Sequence, residues 1–116
     1  MTLRLVIPAV LAFALFAAPG ARAQDADWCQ MAIMADAAGE AEAAVEAYTA
    51  CLDGTDLEPE YRGVFLHQRG LSHEALGEFE LAIEDFTASL PLTLEPEKTF
   101  GARGMANARA GNIEPA

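Results

Sequence analysis

The chain has 116 residues, 18 acidic against 7 basic, with a formal net charge of −11. That length suits one domain with a modest core. The acidic excess argues against nucleic acid and anionic lipid surfaces as partners, because phosphate contacts need clusters of Lys and Arg.

Residues 1–23 read as a secretory signal peptide. Arg4 gives a short basic start, Leu5 to Ala18 is apolar apart from Pro8, and Ala21-x-Ala23 suits signal peptidase, with cleavage before Gln24. The apolar run is shorter than the ~20 residues a membrane span needs. No Cys stands at the cleavage site to carry a lipid, and no later stretch is apolar enough to cross a membrane. The expected location is therefore exported, periplasmic or secreted. The mature part, 24–116, holds all eighteen acidic residues and only Arg62, Arg69, Lys98, Arg103 and Arg109 as bases, a net charge of −13. Solubility of an exported protein accounts for such a charge without a steering role.

Five helices follow. The first is expected near Asp25–Ala38, with Asp25 as N-cap and Gly39 after its end. The second is expected near Ala41–Leu52, stopped by Asp53-Gly54. Leu57-Glu58-Pro59-Glu60 opens the third and Leu94-Glu95-Pro96-Glu97 opens the fifth, since proline suits the first helical turn. Pro59 precedes Gly70 by eleven residues and Pro96 precedes Gly104 by eight, so the third helix should be about one turn longer at its start. The fourth ends at or before Leu90, because Pro91 disfavours helical geometry in the residue before it. The fifth carries Phe100 and Met105 and looks like an interior helix. With the chain stopping at Ala116, either the array is cut short or this helix is a terminal cap. It should fray, or be covered by a partner or a second copy.

Three turns repeat: Gly39-Glu40-Ala41, Gly77-Glu78-Phe79 and Gly111-Asn112-Ile113, at spacings of 38 and 34 residues. Around them stand Trp28-x2-Met31-Ala32-x2-Ala35, Leu66-x2-Arg69-Gly70-x2-His73 and Phe100-x2-Arg103-Gly104-x2-Asn107. Ala44-x3-Tyr48 and Ala82-x3-Phe86 follow the first two turns. Self-similarity at this period points to stacked helix pairs. From Trp28 to Ala116 the chain resembles the tetratricopeptide-repeat (TPR) family, with repeats near 25–54, 59–92 and 96–116, the last incomplete, in a domain spanning 24–116. Leu66, Arg69 and His73 depart from the Trp, Leu and Tyr of the family pattern. The resemblance implies an all-α fold of antiparallel helix hairpins stacked as a short right-handed α-solenoid. An ordinary helical bundle is the alternative.

Cys29 and Cys51 are the only cysteines, an even number in an exported chain, which suggests a disulfide. In an antiparallel pair turning at Gly39-Glu40, Cys29 lies opposite the end of the second helix. Two free buried thiols are the alternative. His73, at the family's Tyr place, should pack between helices. No nucleophile with a recognisable base and no phosphate-cradling glycine loop stands out, so no enzyme activity and no cofactor are expected. Cys29, His67 and the carboxylates of Asp36 and Glu74 suggest a second reading, a small metal-binding protein or enzyme, but without any short ligand motif.

In the TPR family, residues one, five, eight and nine places after the Trp position line a concave peptide-binding groove. Carried onto this chain, the resemblance implies a partner-binding set of Ile33, Asp36, His67, Leu71, Glu74, Met105 and Arg109. Cys29, Ala37, Ala75, Gly101 and Ala108 occupy the remaining groove positions. The Lys and Asn that grip a peptide carboxylate in one branch of the family are missing, so the expected floor is an apolar stripe of Ile33, Leu71 and Met105. Asp36 and Glu74 flank it, with Arg109 as the one base. Packing of these three apolar residues as core between repeats is the alternative. The function this implies is an exported, non-enzymatic adaptor or scaffold that binds a segment of another protein.

Overall fold

The structure, a computed structural model, describes residues 27–112. The expected signal peptide, 1–23, and the cleavage expected before Gln24 lie outside the described residues. Among those described there are five α-helices and no strand. They are α1 (Trp28–Ala37), α2 (Ala41–Gly54), α3 (Pro59–Ala75), α4 (Phe79–Ser89) and α5 (Pro96–Arg109). None of them is long and apolar enough to cross a membrane.

The helix ends follow from local chemistry. α1 starts later than a cap at Asp25 would place it, because the Asp27 side chain accepts the Gln30 N–H at 3.1 Å and closes the first turn there. α2 runs two residues past Leu52. Arg62 donates to the Leu52 carbonyl at 3.0 Å, and the Thr55 N–H to that of Cys51, so its last turn is satisfied. Pro59 and Pro96 each stand in the first turn of a helix. α3 has 17 residues and α5 has 14, a difference of about one turn.

The three repeated turns share one hydrogen-bond pattern. Gly39, Gly77 and Gly111 have φ of 75°, 78° and 85°, and each follows a helix end. Their N–H groups bond to Asp36, Glu74 and Ala108 carbonyls. The next residues, Glu40, Glu78 and Asn112, reach back to the carbonyls of Ala35, His73 and Asn107 at 2.9, 2.9 and 2.8 Å. This is the Schellman arrangement, in which a left-handed residue satisfies the last carbonyls of a helix.

The first two turns fold α1 against α2 and α3 against α4, and each pair packs on the next element in the chain. Cross-links between opposite ends make both pairs antiparallel. Cys29 near the start of α1 is bonded to Cys51 near the end of α2, and Ser89 at the end of α4 donates to the Gly63 carbonyl near the start of α3 at 2.7 Å. The core is a strip between helices. Ala32, Ala44, Ala47 and Tyr48 form its first part, and Ala82, Phe86 and Ala106 the second. Gly70 admits the Phe86 ring so closely that a Cβ there would lie 2.6 Å from it. Tyr48 and Phe86 are the largest fully buried side chains. Each stabilises its hairpin by roughly 1.5–3 kcal/mol through apolar burial.

Candidate functional site

The odd-numbered helices stand side by side, joined by three side-chain contacts. Gln68 of α3 donates to Asp36 of α1 at 2.9 Å. His67 Nδ1 lies 2.9 Å from the Thr99 hydroxyl of α5. Arg109 of α5 donates to Glu74 of α3 at 2.8 Å. Each contact joins residues 32 or 35 positions apart, close to the sequence repeat. One surface is therefore built from three segments that the even helices support from behind.

Apolar side chains are exposed along this surface. Ile33 on α1 is 46% exposed, Leu71 on α3 37% and Met105 on α5 55%, at matching places in the repeat. Large side chains in a well-packed inter-helix core would be far more covered. The stripe is thus open among the described residues.

Two depressions lie between the odd helices and share Val64 and Gln68. The first, between α1 and α3, has Ile33, Ala37, Val64 and Phe65 around the Asp36–Gln68 bond. The second, of about 520 Å³, lies between the start of α3 and the start of α5 and is bordered by Tyr61, Val64, His67, Leu94 and Lys98. Leu71 and Met105 line neither. Tyr61, Val64 and Leu94 are absent from the family-derived set. The sequence signal for Tyr61 is the eleven-residue spacing from Pro59 to Gly70, which adds a turn to α3 beyond the repeat frame.

The charges expected to flank the stripe are engaged within the protein. Asp36 Oδ2 accepts from both Tyr48 and Gln68, at 2.8 and 2.9 Å. Burial, and then the Asp36 carboxylate, push the Tyr48 phenol above its ordinary pKa, so it serves as a fixed donor. Glu74 is held by Arg109, so neither is a free charge waiting for a partner. His67 is pushed below its usual pKa by burial and then by the Lys98 charge, with Glu95 acting the other way. Its ring also rests on Phe86, at 5.4 Å between centroids. Thr99 is 1% exposed, so its hydroxyl links helices and is closed to a substrate.

Behind this surface lies a polar network unforeseen from the repeat pattern. Arg69 makes two 2.8 Å bonds to Asp85 of α4 and a third, at 3.0 Å, to Thr49 of α2. The Asp85 hydrogen bond raises the Arg69 pKa. His73 is buried and bonds to Glu78 at 2.8 Å across the α3–α4 turn, with Asp85 3.8 Å from its other nitrogen.

Cys29 and Cys51 form a disulfide with Cα atoms 4.7 Å apart. Cys29 therefore offers no thiolate, and the grouping of Cys29 with His67 as ligands is not assembled. Among the described residues, no group of three or more His, Cys, Asp or Glu is placed to hold a metal ion. No family model, curated protein or solved structure matches the chain.

Proposed function

We propose that the chain is an exported, non-enzymatic interaction module of the tetratricopeptide-repeat kind, an adaptor or scaffold that binds a segment of another protein. The binding surface is the face shared by α1, α3 and α5. The observation that carries this reading is the repeated exposure of Ile33, Leu71 and Met105 on three helices held in register by hydrogen bonds. Such a row offers anchor points at regular steps to an extended or helical segment, as in groove recognition. The signal-like residues 1–23 and the acidic character of the remainder fit an exported protein. The metal-binding alternative lacks the Cys29 thiolate it needs.

The test is a pull-down of tagged protein from the exported compartment, comparing the unaltered chain with Leu71→Asp. Glu74 is best left alone because it holds Arg109. Leu71→Asp should keep its helical circular dichroism and melting temperature and lose the partner. Retention of the same partner by a folded Leu71→Asp variant would remove this face from the binding surface.

A further inference from the structure

The cleft between α3 and α5 includes parts outside the repeat frame. The extra first turn of α3 supplies Glu60 and Tyr61, and the turn after it Val64. The link 91–95 folds back so that Leu92 lies against Gly63, where an added Cβ would meet its backbone at 3.0 Å. The N–H groups of Leu92 and Thr93 both bond to the Ser89 carbonyl at 2.9 Å, and the Thr93 hydroxyl accepts the Glu95 N–H at 3.1 Å. The link is thus fixed, and it holds Leu94 82% exposed at the rim. Tyr61 is 57% and Val64 47% exposed beside the same opening. Three large apolar side chains held out to water around one cleft mark a contact surface.

The charge of the cleft selects the occupant. Its ionisable lining residues are Glu60, Tyr61, His67, Glu95 and Lys98. Lys98 is neutralised by Glu95 at 2.7 Å. His67, with its lowered pKa, is neutral at neutral pH. Glu60 has no ion-pair partner among the described residues, so the cleft carries an uncompensated negative charge. Glu58 and Glu97 stand at the same helix ends and add to it. A second copy of this acidic chain would bring repulsion, and so would an acidic peptide.

We infer that this cleft docks a cationic segment of a partner protein, one apolar side chain entering between Tyr61 and Leu94 and an adjacent Lys or Arg meeting Glu60. The inference rests on the interaction-module reading and narrows it to one cleft and one partner chemistry.

A random linear peptide library displayed on phage and selected on the full chain is the test. Enriched sequences should carry a Lys or Arg within two residues of an aliphatic or aromatic residue. Synthetic versions should bind more weakly as salt is raised. They should lose about tenfold in affinity on Glu60→Lys, through charge reversal at the contact. Leu94→Glu, at so exposed a position, should fold normally and lose a similar factor, with circular dichroism as the check. Glu60→Gln should remove the preference for the base while keeping that for the apolar residue. Enriched peptides without a base, or equal binding to Glu60→Lys, would overturn the inference. If peptides bind and fail only on Leu71→Asp, the interaction reading stands and the cleft assignment falls. If the selection enriches nothing, the cleft assignment falls by itself, while the pull-down still tests the interaction reading. Sedimentation showing a dimer that Leu94→Glu dissociates would make a second copy the occupant and likewise overturn the inference.

Discussion

The hairpins α1–α2 and α3–α4 share a turn, an antiparallel pairing and a buried aromatic, yet they are fastened differently. The first is closed covalently by Cys29–Cys51 around an alanine core with Tyr48. The second has His67 and Ser89 at the places 38 residues on. Ser89 bonds to the Gly63 carbonyl, and the hairpin is latched by Arg69, Asp85, His73 and Glu78. A repeat therefore prescribes where two helices cross and leaves open how the crossing is held. Arg69 also reaches Thr49, so the polar latch of the second hairpin ties it to the first.

The largest effect should come from breaking that polar latch. Asp85→Ala leaves the Arg69 guanidinium, 21% exposed, without its carboxylate. Loss of one partner of a largely buried pair costs about 3–5 kcal/mol. Urea unfolding monitored by circular dichroism should read that loss, and a change below about 1 kcal/mol would show that water replaces Asp85 without penalty. Next is the covalent latch. Converting Cys29 and Cys51 together to Ser should remove about 3 kcal/mol, on the loop-entropy account for a bridge spanning 22 residues. Reducing agent should have the same effect on the unaltered protein and none on the double variant.

A pair of glycines sharpens the contrast between covered and open helices. Gly70→Ala drives a Cβ into the Phe86 ring and should destabilise by about 1–3 kcal/mol. At Gly104, thirty-four residues on, nothing among the described residues lies within 4 Å of an added Cβ. Gly104→Ala should therefore stabilise α5, by up to about 1 kcal/mol of helix propensity. Melting temperatures moving in the same direction would contradict this difference in packing.

The smallest effect concerns pH. The folded pKa of His67 lies below its unfolded value of about 6.5. The folded state binds that proton less readily, so the stability linked to His67 is complete above about pH 6.5 and falls as pH drops toward the folded value. Thermal melts at pH 7 and pH 5 should show a larger loss for the unaltered protein than for His67→Gln. Equal losses would place the pH sensitivity elsewhere.

The helix order, the turns and most helix ends were legible in the sequence because backbone demands leave residue signatures. A positive φ calls for Gly39, Gly77 and Gly111, and a first helical turn tolerates Pro59 and Pro96. The candidate surface was legible only in part. Ile33, Leu71 and Met105, named from the repeat pattern, are exposed, but only Ile33 borders a depression. Asp36, Glu74 and Arg109 look like free charges in the sequence but are tied by bonds between residues of different helices, which no local spacing reveals. The pairing of Arg69 with Asp85 is hidden for the same reason. The cleft at Tyr61 and Leu94 depends on a link that folds back over Gly63, a tertiary contact without a sequence motif.

Hydrogen exchange of the full chain, alone and with the partner recovered by pull-down, tests the proposed binding face most directly. Amides of α1, α3 and the first half of α5 should gain protection on binding, with α2 and α4 changing least, because the former carry Ile33, Val64, Leu71 and the cleft residues. Protection confined to α2 and α4, on the side of Leu81 and Glu84, would place the partner on the opposite face and contradict the assignment.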